Sequence, residues 1–258
     1  MDKIVCAHER TQSPTMEERM MHSHDNYEVY YLISGDVDFL VEGTRYHLRP
    51  GDLLLMQKGE VHMFRLRSTA PYERMHINFD VSPLLSNLGI TDLLAPFQDR
   101  PLGTFNHYPA TLFSAQSFKR DLERICNARD EEKLLYLLPL LAELRGAFAT
   151  LKENPSSSAP DRASAIVSYI NAHLSEELSL EELSSRFYLS QTHLNRIFRA
   201  ATGTTVWQYI TIKRLYFAKE LLEQGKKSTE VAPLCGFKDY TTFFRAYKKL
   251  FGTTPGNR

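Results

Sequence analysis

The stretch "GFKDYTTFFRAYKKLFGTTP", Gly236–Pro255, is the second copy of a pattern that begins 49 residues earlier in the chain. A shift of that length lays "SLEELSSRFYLSQTHLNRIFRAATGTT" (179–205) over "STEVAPLCGFKDYTTFFRAYKKLFGTT" (228–254). The identical pairs are Ser179/Ser228, Glu181/Glu230, Thr192/Thr241, Arg196/Arg245, Gly203/Gly252 and Thr205/Thr254. Each copy is typical of a short helix, a tight turn and a longer helix, which is the helix-turn-helix arrangement.

A residue able to cap a helix precedes the longer helix of each copy, Ser190 in the first and Asp239 in the second. The predicted core positions also correspond: Leu194, Ile197 and Phe198 in one copy, Phe243 and Tyr247 in the other. Between the copies, residues 205–225 predict a long amphipathic helix. Because the second helix of such a unit enters the major groove, two units on one chain can read two grooves about 34 Å apart.

The net charge of zero conceals a division along the chain. Residues 161–258 contain fourteen basic and nine acidic residues, and residues 1–160 contain seventeen basic and twenty-two acidic ones. A basic half joined to an acidic half indicates nucleic-acid binding by the basic part. Between them, "ENPSSSAPD" (153–161) has the composition of a linker, and 258 residues suffice for two domains.

Residues 162–258 resemble the AraC family of bacterial transcription regulators. The family pattern GF-x-D, F-x-R, K-K, G and P is carried by Gly236–Pro255, and "IKRLYFAKELL" (212–222) matches its connecting helix. Pro233 departs from the pattern, because a proline inside the first helix of the second copy is expected to loosen that helix. The resemblance implies a sequence-specific activator that binds double-stranded DNA and contacts RNA polymerase.

The resemblance also assigns roles to polar residues on the exposed sides of the two longer helices. The implied base readers are Thr192, Asn195, Arg196, Thr241 and Arg245, with Thr242 beside them. Asn pairs well with adenine and Arg with guanine. The implied phosphate contacts, which fix register only, are Arg199, Lys248 and Lys249. A solvated helix face is the alternative, but the basic residues occupy matching places in both copies, which favours DNA.

The N-terminal half predicts a small barrel. Short segments rich in Val, Tyr, Leu and Phe, separated by Gly, Asp and Pro, predict strands at 27–33, 37–43, 44–48, 52–57, 61–66 and 73–80. Residues 111–151 change to helical spacing and predict two helices, with Pro139 in the second. The predicted fold class is α+β: a cupin-like barrel with a helical hairpin, followed by an all-α domain of two helix-turn-helix units.

Two motifs of this half resemble those of cupins. "HSHDNYEVYYLISG" (22–35) has the spacing H-x-H-x3-E-x6-G, and "GDLLLMQKGEVH" (51–62) fits most of the second motif. The resemblance implies four metal-ligand positions, which are His22, His24, Glu28 and His62. Such a set can hold Zn, Fe, Mn or Ni. Related regulators keep these residues and bind an organic effector without metal, so no cofactor is the expectation and a metal is the alternative.

Strand alternation predicts the side chains that line an effector site: His24, Glu28, Tyr30, Tyr46, His62 and His76. Aromatic rings with a few polar groups suit a sugar or another small polar metabolite, and they equally suit a plain core with satisfied tyrosines. The second helix of the hairpin is most simply an amphipathic helix packed on the barrel. The resemblance implies, as an alternative, a homodimer contact for which the candidates are Leu134, Leu137, Leu138, Leu141, Leu144 and Phe148.

The sequence therefore predicts an effector-responsive transcription regulator, and not an enzyme. The expected division is a sensing domain at 1–110, a helical segment at 111–152, a linker at 153–161 and a DNA-binding domain at 162–258. The alternative is a metal-dependent cupin enzyme fused to a DNA-binding domain. Three widely separated cysteines, Cys6, Cys126 and Cys235, indicate free thiols in a reducing cytoplasm. No run of about 20 apolar residues predicts a membrane span, and no secretory signal opens the chain.

Overall fold

The computed structural model describes residues 4–15, 21–113, 115–153 and 162–256, so the predicted linker, apart from Glu153, lies outside the described residues. The strands are β1 Val5–Thr11, β2 Tyr27–Ser34, β3 Val37–Val41, β4 Thr44–Leu48, β5 Leu53–Met56, β6 His62–Leu66, β7 Tyr72–Phe79 and β8 His107–Tyr108. The helices are α1 Ser82–Leu88, α2 Ala95–Gln98, α3 Ala115–Asn127, α4 Lys133–Glu153, α5 Arg162–Ala172, α6 Leu180–Arg186, α7 Gln191–Thr202, α8 Val206–Glu223, α9 Ser228–Leu234 and α10 Tyr240–Phe251.

Two antiparallel sheets form the N-terminal barrel, one in the order β1-β7-β2-β5-β8 and the other in the order β4-β3-β6. Alternate residues of β2 face opposite ways, so Tyr30 and Leu32 lie between the sheets whereas Val29 and Tyr31 face the helices. The six predicted strands and the α+β class are confirmed. Strand β1 was not predicted, because an edge strand with half-exposed polar residues lacks the apolar alternation of its neighbours.

Helices α3 and α4 cover the outer face of the five-stranded sheet, as the predicted hairpin. Leu137, Leu141, Leu144 and Phe148 are at most 4% exposed in this core, which confirms that the helix packs on the barrel and makes the alternative, that these four residues contact a second subunit, wrong. The sheet face needs an apolar cover, and α4 supplies it. Leu134 and Leu138 are partly buried against the same core. By length and composition alone, α4 is also long and apolar enough to span a membrane. The core helix of a soluble protein can have the same length and composition.

The cysteines differ from the prediction of three free thiols. Strand β1 pairs with β7 at the sheet edge and α3 packs on it, which brings Cys6 and Cys126 to a Cα–Cα distance of 5.0 Å in a disulfide. This distance is usual for a disulfide. Cys235 is buried and carries a free thiol. Sequence spacing could not reveal the pair, because the two cysteines are 120 residues apart.

The C-terminal domain contains the two predicted helix-turn-helix units, α6–α7 and α9–α10, joined by α8. The predicted caps are present: the Ser190 hydroxyl accepts from the His193 N–H at 3.2 Å, and the Asp239 carboxylate accepts from the Thr242 N–H at 2.7 Å. Pro233 lies in the last turn of α9, which still has seven residues, the length of α6 in the first unit. Helix α8, at 18 residues, spans about 27 Å.

Candidate functional site

The predicted DNA-reading residues of the first unit lie on the solvent-facing side of α7. Thr192, Arg196 and Arg199 are exposed and Asn195 is half-buried, whereas Leu194 and Phe198 are fully buried. Ile197 is half-buried, packs against the same core as predicted, and also lines a cleft between α7 and the barrel. The side chains of α7 therefore form a core face and a solvent-facing side that carries the predicted readers, and Arg196 of that side also lines the cleft against the barrel.

In the second unit, Thr241, Arg245, Lys248 and Lys249 are exposed on α10, opposite the buried Phe243 and Tyr247. Thr242 is exposed as well, but its hydroxyl donates to the Asp239 carboxylate at 2.7 Å. That carboxylate also caps the helix, so Thr242 belongs to the cap as well as to the predicted contact face.

The histidine stretch forms a compact polar cluster in the barrel. The Glu28 carboxylate lies 2.6 Å from His24 Nε2 and 3.6 Å from His62 Nε2, and one ligand atom of each residue lies within 4.8 Å of the others. His22 forms a backbone bridge to His62, and its ring centroid is 4.4 Å from that of His62. His22 stands beside the three-residue cluster without being part of it.

Backbone carbonyls orient both imidazoles of the cluster. His24 Nδ1 donates to Asn26 O at 2.8 Å, and His62 Nδ1 donates to Glu60 O at 2.9 Å, which leaves Nε2 of each ring directed at Glu28. Metal-binding histidines are usually held in this way. Two imidazole nitrogens and a carboxylate oxygen fit a divalent transition metal, which would have to displace the proton that His24 shares with Glu28.

Burial and charge act against each other in this cluster. Burial alone would raise the pKa of Glu28, but the hydrogen bond from His24 and the charges of His62, His24 and His76 lower it to about 2. Burial works against a charged His24, yet the hydrogen bond and charge of Glu28 raise its pKa. Burial lowers the pKa of His62 to about 4, and the attraction of Glu28 offsets this only in part. The contact between His24 and Glu28 therefore favours the charged form of both groups, whereas burial favours the neutral form of His62.

A buried ion pair holds the loop that leads into His62, the first residue of β6. Glu60 and Arg100 are joined by two hydrogen bonds of 2.9 Å, and the Asn106 amide donates to the same carboxylate.

Asn78 on β7 was not predicted for the site, although its Nδ2 lies 3.5 Å from Glu28 Oε2 and from His24 Nε2. Its position two residues after His76 on one strand was the available signal.

Two of the predicted effector residues lie apart from the polar cluster. The Tyr30 hydroxyl bonds the Tyr72 hydroxyl at 2.6 Å inside the aromatic core of the barrel, below the Arg74 guanidinium. The Tyr46 hydroxyl donates to Gly103 O at 2.8 Å. His76 on β7 lies opposite Tyr30 of β2, and its charge helps to lower the pKa of Glu28. The structure therefore gathers His24, Glu28, His62 and His76, and it places the two tyrosines in core contacts.

A tight turn between β3 and β4 connects the barrel to the first helix-turn-helix unit. Glu42 and Gly43 both have positive φ, 47° and 82°, as a two-residue hairpin turn requires. A Cβ atom on Gly43 would come within 2.8 Å of Val167 in α5, so only glycine allows this close approach. The turn directs the Glu42 side chain into the DNA-binding domain.

Glu42 is 4% exposed and its carboxylate is fully bonded. It accepts from Lys213 Nζ at 2.8 Å, from Asn171 Nδ2 at 2.8 Å and from the Val61 N–H at 2.7 Å, and the Tyr209 hydroxyl also donates to it. Burial would raise its pKa, but Lys213 and these hydrogen bonds lower it. Sequence reasoning missed this contact, whose one signal was a lysine on an otherwise apolar face of α8.

Val61 joins the two halves of the chain a second time. Its side chain is fully buried in the apolar core of the first unit, with Ile166, Leu194 and Phe198. The next residue, His62, belongs to the polar cluster of the barrel. The cluster and the core of the first unit are therefore separated by a single peptide unit.

Two family models match the chain. The model described as "AraC-like ligand binding domain" matches residues 5–138, and the model described as "Helix-turn-helix domain" matches residues 183–257. The first match covers more than half of the chain and the barrel that holds the polar cluster. The second match covers both helix-turn-helix units apart from the start of α6. It does not include α5, the first helix of the C-terminal domain.

Curated relatives agree with the two models. The HTH-type transcriptional activator RhaS of Escherichia fergusonii is 24% identical over 258 aligned residues, which span 91% of this chain and 85% of RhaS. The probable transcriptional regulator LumQ of Photobacterium leiognathi is 40% identical over 91 residues, which span 35% of this chain and 37% of LumQ.

Similar solved structures include ToxT from Vibrio cholerae O395, with a TM-score of 0.43 and 13% identity over 98% of this chain and 96% of ToxT. The DNA-binding domain of AdpA in complex with a target DNA has a TM-score of 0.36 and 30% identity over 38% of this chain and 87% of that domain. The relatives are regulators, which sets aside the alternative of a cupin enzyme. The chain belongs to the AraC family and is a ligand-responsive, DNA-binding transcription regulator.

Proposed function

We propose that the effector is a small polar metabolite, a sugar or a related compound, which binds at the His24–Glu28–His62 end of the barrel. The observation that carries the proposal is the adjacency of His62 to Val61, whose side chain is part of the core of the first helix-turn-helix unit. A ligand that shifts the backbone at His62 also shifts Val61. An effector held there biases the packing of α5, α7 and α8, and a ligand shifts an equilibrium by its difference in affinity for the two states.

A thermal-shift screen of the full chain against sugars and small polar metabolites tests the site. A ligand at a hundred times its Kd adds about 2.7 kcal/mol to stability and raises the Tm. We expect the shift to be lost in His62→Ala and kept in His8→Ala, a control at an exposed histidine of β1. A shift that persists in the double variant His24→Ala, His62→Ala would place the effector elsewhere.

We also propose that the same cluster can hold a divalent transition metal through His24, Glu28 and His62. The support is the donor set and the two carbonyls that orient the rings. A metal there would supply a fixed positive charge for an oxygen-rich ligand. Metal content by mass spectrometry, and a Tm that falls with chelator in wild type and in His8→Ala but not in Glu28→Gln, are the expected results. A metabolite shift indifferent to chelator would make the site metal-free.

We further propose that the chain acts in the cytoplasm as an activator that contacts RNA polymerase, as a homodimer. RhaS is described as a transcriptional activator, which supports the direction of the response. Leu135, 66% exposed, and Tyr136 lie on the outer side of α4 and are the available apolar contacts for a second subunit. Light scattering of wild type and Leu135→Glu, together with a reporter that records a rise or fall in transcription, tests these statements.

A further inference from the structure

The barrel and the first recognition helix enclose a basic cleft. Its volume is about 500 Å³, and its lining residues are Gly43, Arg45, Arg162, Ala163, His193, Arg196, Ile197, Ala200 and Ala201. The cleft thus combines the β3–β4 hairpin of the barrel, the start of α5 and one side of α7. Only Arg196 among these residues was predicted to contact DNA.

The charge of the cleft is of one sign. Three arginines and a histidine line it, and no acidic residue among the described part of the chain does. Arg45 Nη2 donates to Ala200 O at 3.0 Å, and this hydrogen bond holds the guanidinium against α7. In the described ranges, Arg162 and Arg196 make no hydrogen bond or ion pair with protein. Unpaired guanidinium groups gathered at one place form a site for an anion.

The position of the cleft along α7 indicates which anion. His193 and Arg196 are the third and sixth residues of the helix, within the N-terminal part that enters the major groove in helix-turn-helix proteins. Phosphate groups border the groove on both sides of such a helix. Arg45 and Arg162 flank α7 next to the residues that are predicted to read bases, where a phosphate strand would pass.

We propose that the barrel takes part in DNA binding: Arg45 of β4 and Arg162 of α5 neutralise backbone phosphates beside the groove that α7 enters. The ligand is the sugar-phosphate backbone of double-stranded DNA. This inference rests on DNA reading by α7, and it extends the contact surface from the helix-turn-helix domain to the sensor domain. An effector that changes how the barrel sits on α7 would then change DNA affinity directly, by adding or removing phosphate contacts.

The test is the salt dependence of DNA affinity, measured with the full chain between 50 and 200 mM KCl. The probes are a duplex selected from a random library by the wild-type chain and an unselected duplex of equal length. Each phosphate contact contributes about 0.9 to the slope of log K against log salt. The double variant Arg45→Gln, Arg162→Gln is expected to lower the slope by about 2, so its loss of affinity over this range is about tenfold smaller than that of wild type.

Two matched variants separate charge from structure. Arg120→Gln, Arg124→Gln removes two exposed arginines from α3, on the opposite side of the barrel, and should leave the slope unchanged. Arg45→Lys keeps the charge, so it should keep the slope, and the ratio of selected to unselected binding should stay the same in every one of these variants. If Arg45→Lys and Arg45→Gln lower the salt slope equally, Arg45 serves only as a structural contact with Ala200, and the proposal is overturned.

Other outcomes are equally decisive. An unchanged slope, or a higher affinity, in the double variant would show that the barrel does not touch DNA and would overturn the inference while DNA reading by α7 stands. A saturable Tm shift with inorganic phosphate that the double variant loses, together with an unchanged slope, would make the cleft a small-anion site instead. Failure of wild type to select any duplex would instead remove DNA reading by α7 itself.

Discussion

The two helix-turn-helix units have matching sequences and unlike surroundings. The first unit shares its core with Val61 of the barrel, and Glu42 is bonded to α5 and α8, which pack against that unit. The core of the second consists, in the described residues, of side chains from α8, α9, α10 and the turn between α9 and α10. The barrel reaches the neighbourhood of the second unit through the ion pair of Asp25 with Lys219, both about one-third exposed. The comparison teaches that matching sequences do not give matching contacts: the barrel is packed into the core of the first unit, whereas its ion pair near the second is partly exposed.

The largest expected effect comes from breaking the buried contact at the first unit. Glu42→Gln leaves the Lys213 ammonium, 7% exposed, without its counter-ion, and removal of one partner of a buried pair costs about 3 kcal/mol. Asp25→Asn breaks the exposed pair and should cost at most about 1 kcal/mol. Urea unfolding of both variants measures the difference. Equal losses of unfolding free energy in the two variants would contradict the expected difference between the buried and the exposed ion pair.

The same carboxylate makes the attachment of the first unit dependent on pH. The pKa of Glu42 is lowered in the folded chain, so its stabilisation is fully present above the ordinary glutamate pKa and is lost as pH falls through the folded value. The difference in unfolding free energy between wild type and Glu42→Gln should therefore be constant near pH 7 and shrink as pH falls below about 4.5. A difference that stays constant down to pH 3 would contradict this.

Paired arginine variants test whether both units read DNA despite their unlike surroundings. Arg196→Ala and Arg245→Ala should each relax base preference at one place in the binding site, by about 1–3 kcal/mol. The two places should lie about one helical turn apart. Selection of duplexes from a random library by each variant measures this. Loss of preference at the same place in both variants would contradict reading by two separate units.

The smallest effect is expected at the paired glycines that end α7 and α10. Gly203 and Gly252 have φ of 75° and 73°, so alanine costs about 1 kcal/mol at either position. A Cβ at Gly203 would also lie 2.1 Å from Met63 Sδ of the barrel, whereas among the described residues nothing lies within 4 Å of one at Gly252. Thermal unfolding should rank Gly203→Ala below Gly252→Ala. Met63→Ala should remove that difference; a difference that remains would exclude the contact as its cause.

Prediction from sequence succeeded where the signal is local. Ser190 and Asp239 cap their helices because a cap requires only a side chain three residues from the N–H it accepts. The β2 alternation placed Glu28 and Tyr30 on one face for the same reason. It left two interpretations open for Leu137 and its neighbours on α4, because an apolar stripe has the same sequence whether it covers a sheet of its own chain or a second subunit. Tyr46 was placed in the effector site although its hydroxyl bonds Gly103, a loop residue that no periodicity locates.

The sequence by itself determined the repeated helix-turn-helix units, the strands of the barrel and the spacing of His24 and Glu28, all of which follow from backbone geometry over a few residues. The tertiary structure alone decided that Glu42 meets Lys213, that Cys6 meets Cys126 and that Arg45 lies against α7. These partners are 171, 120 and 155 residues apart. Contacts over such distances depend on how the barrel and the helices pack, and packing depends on every buried side chain at once.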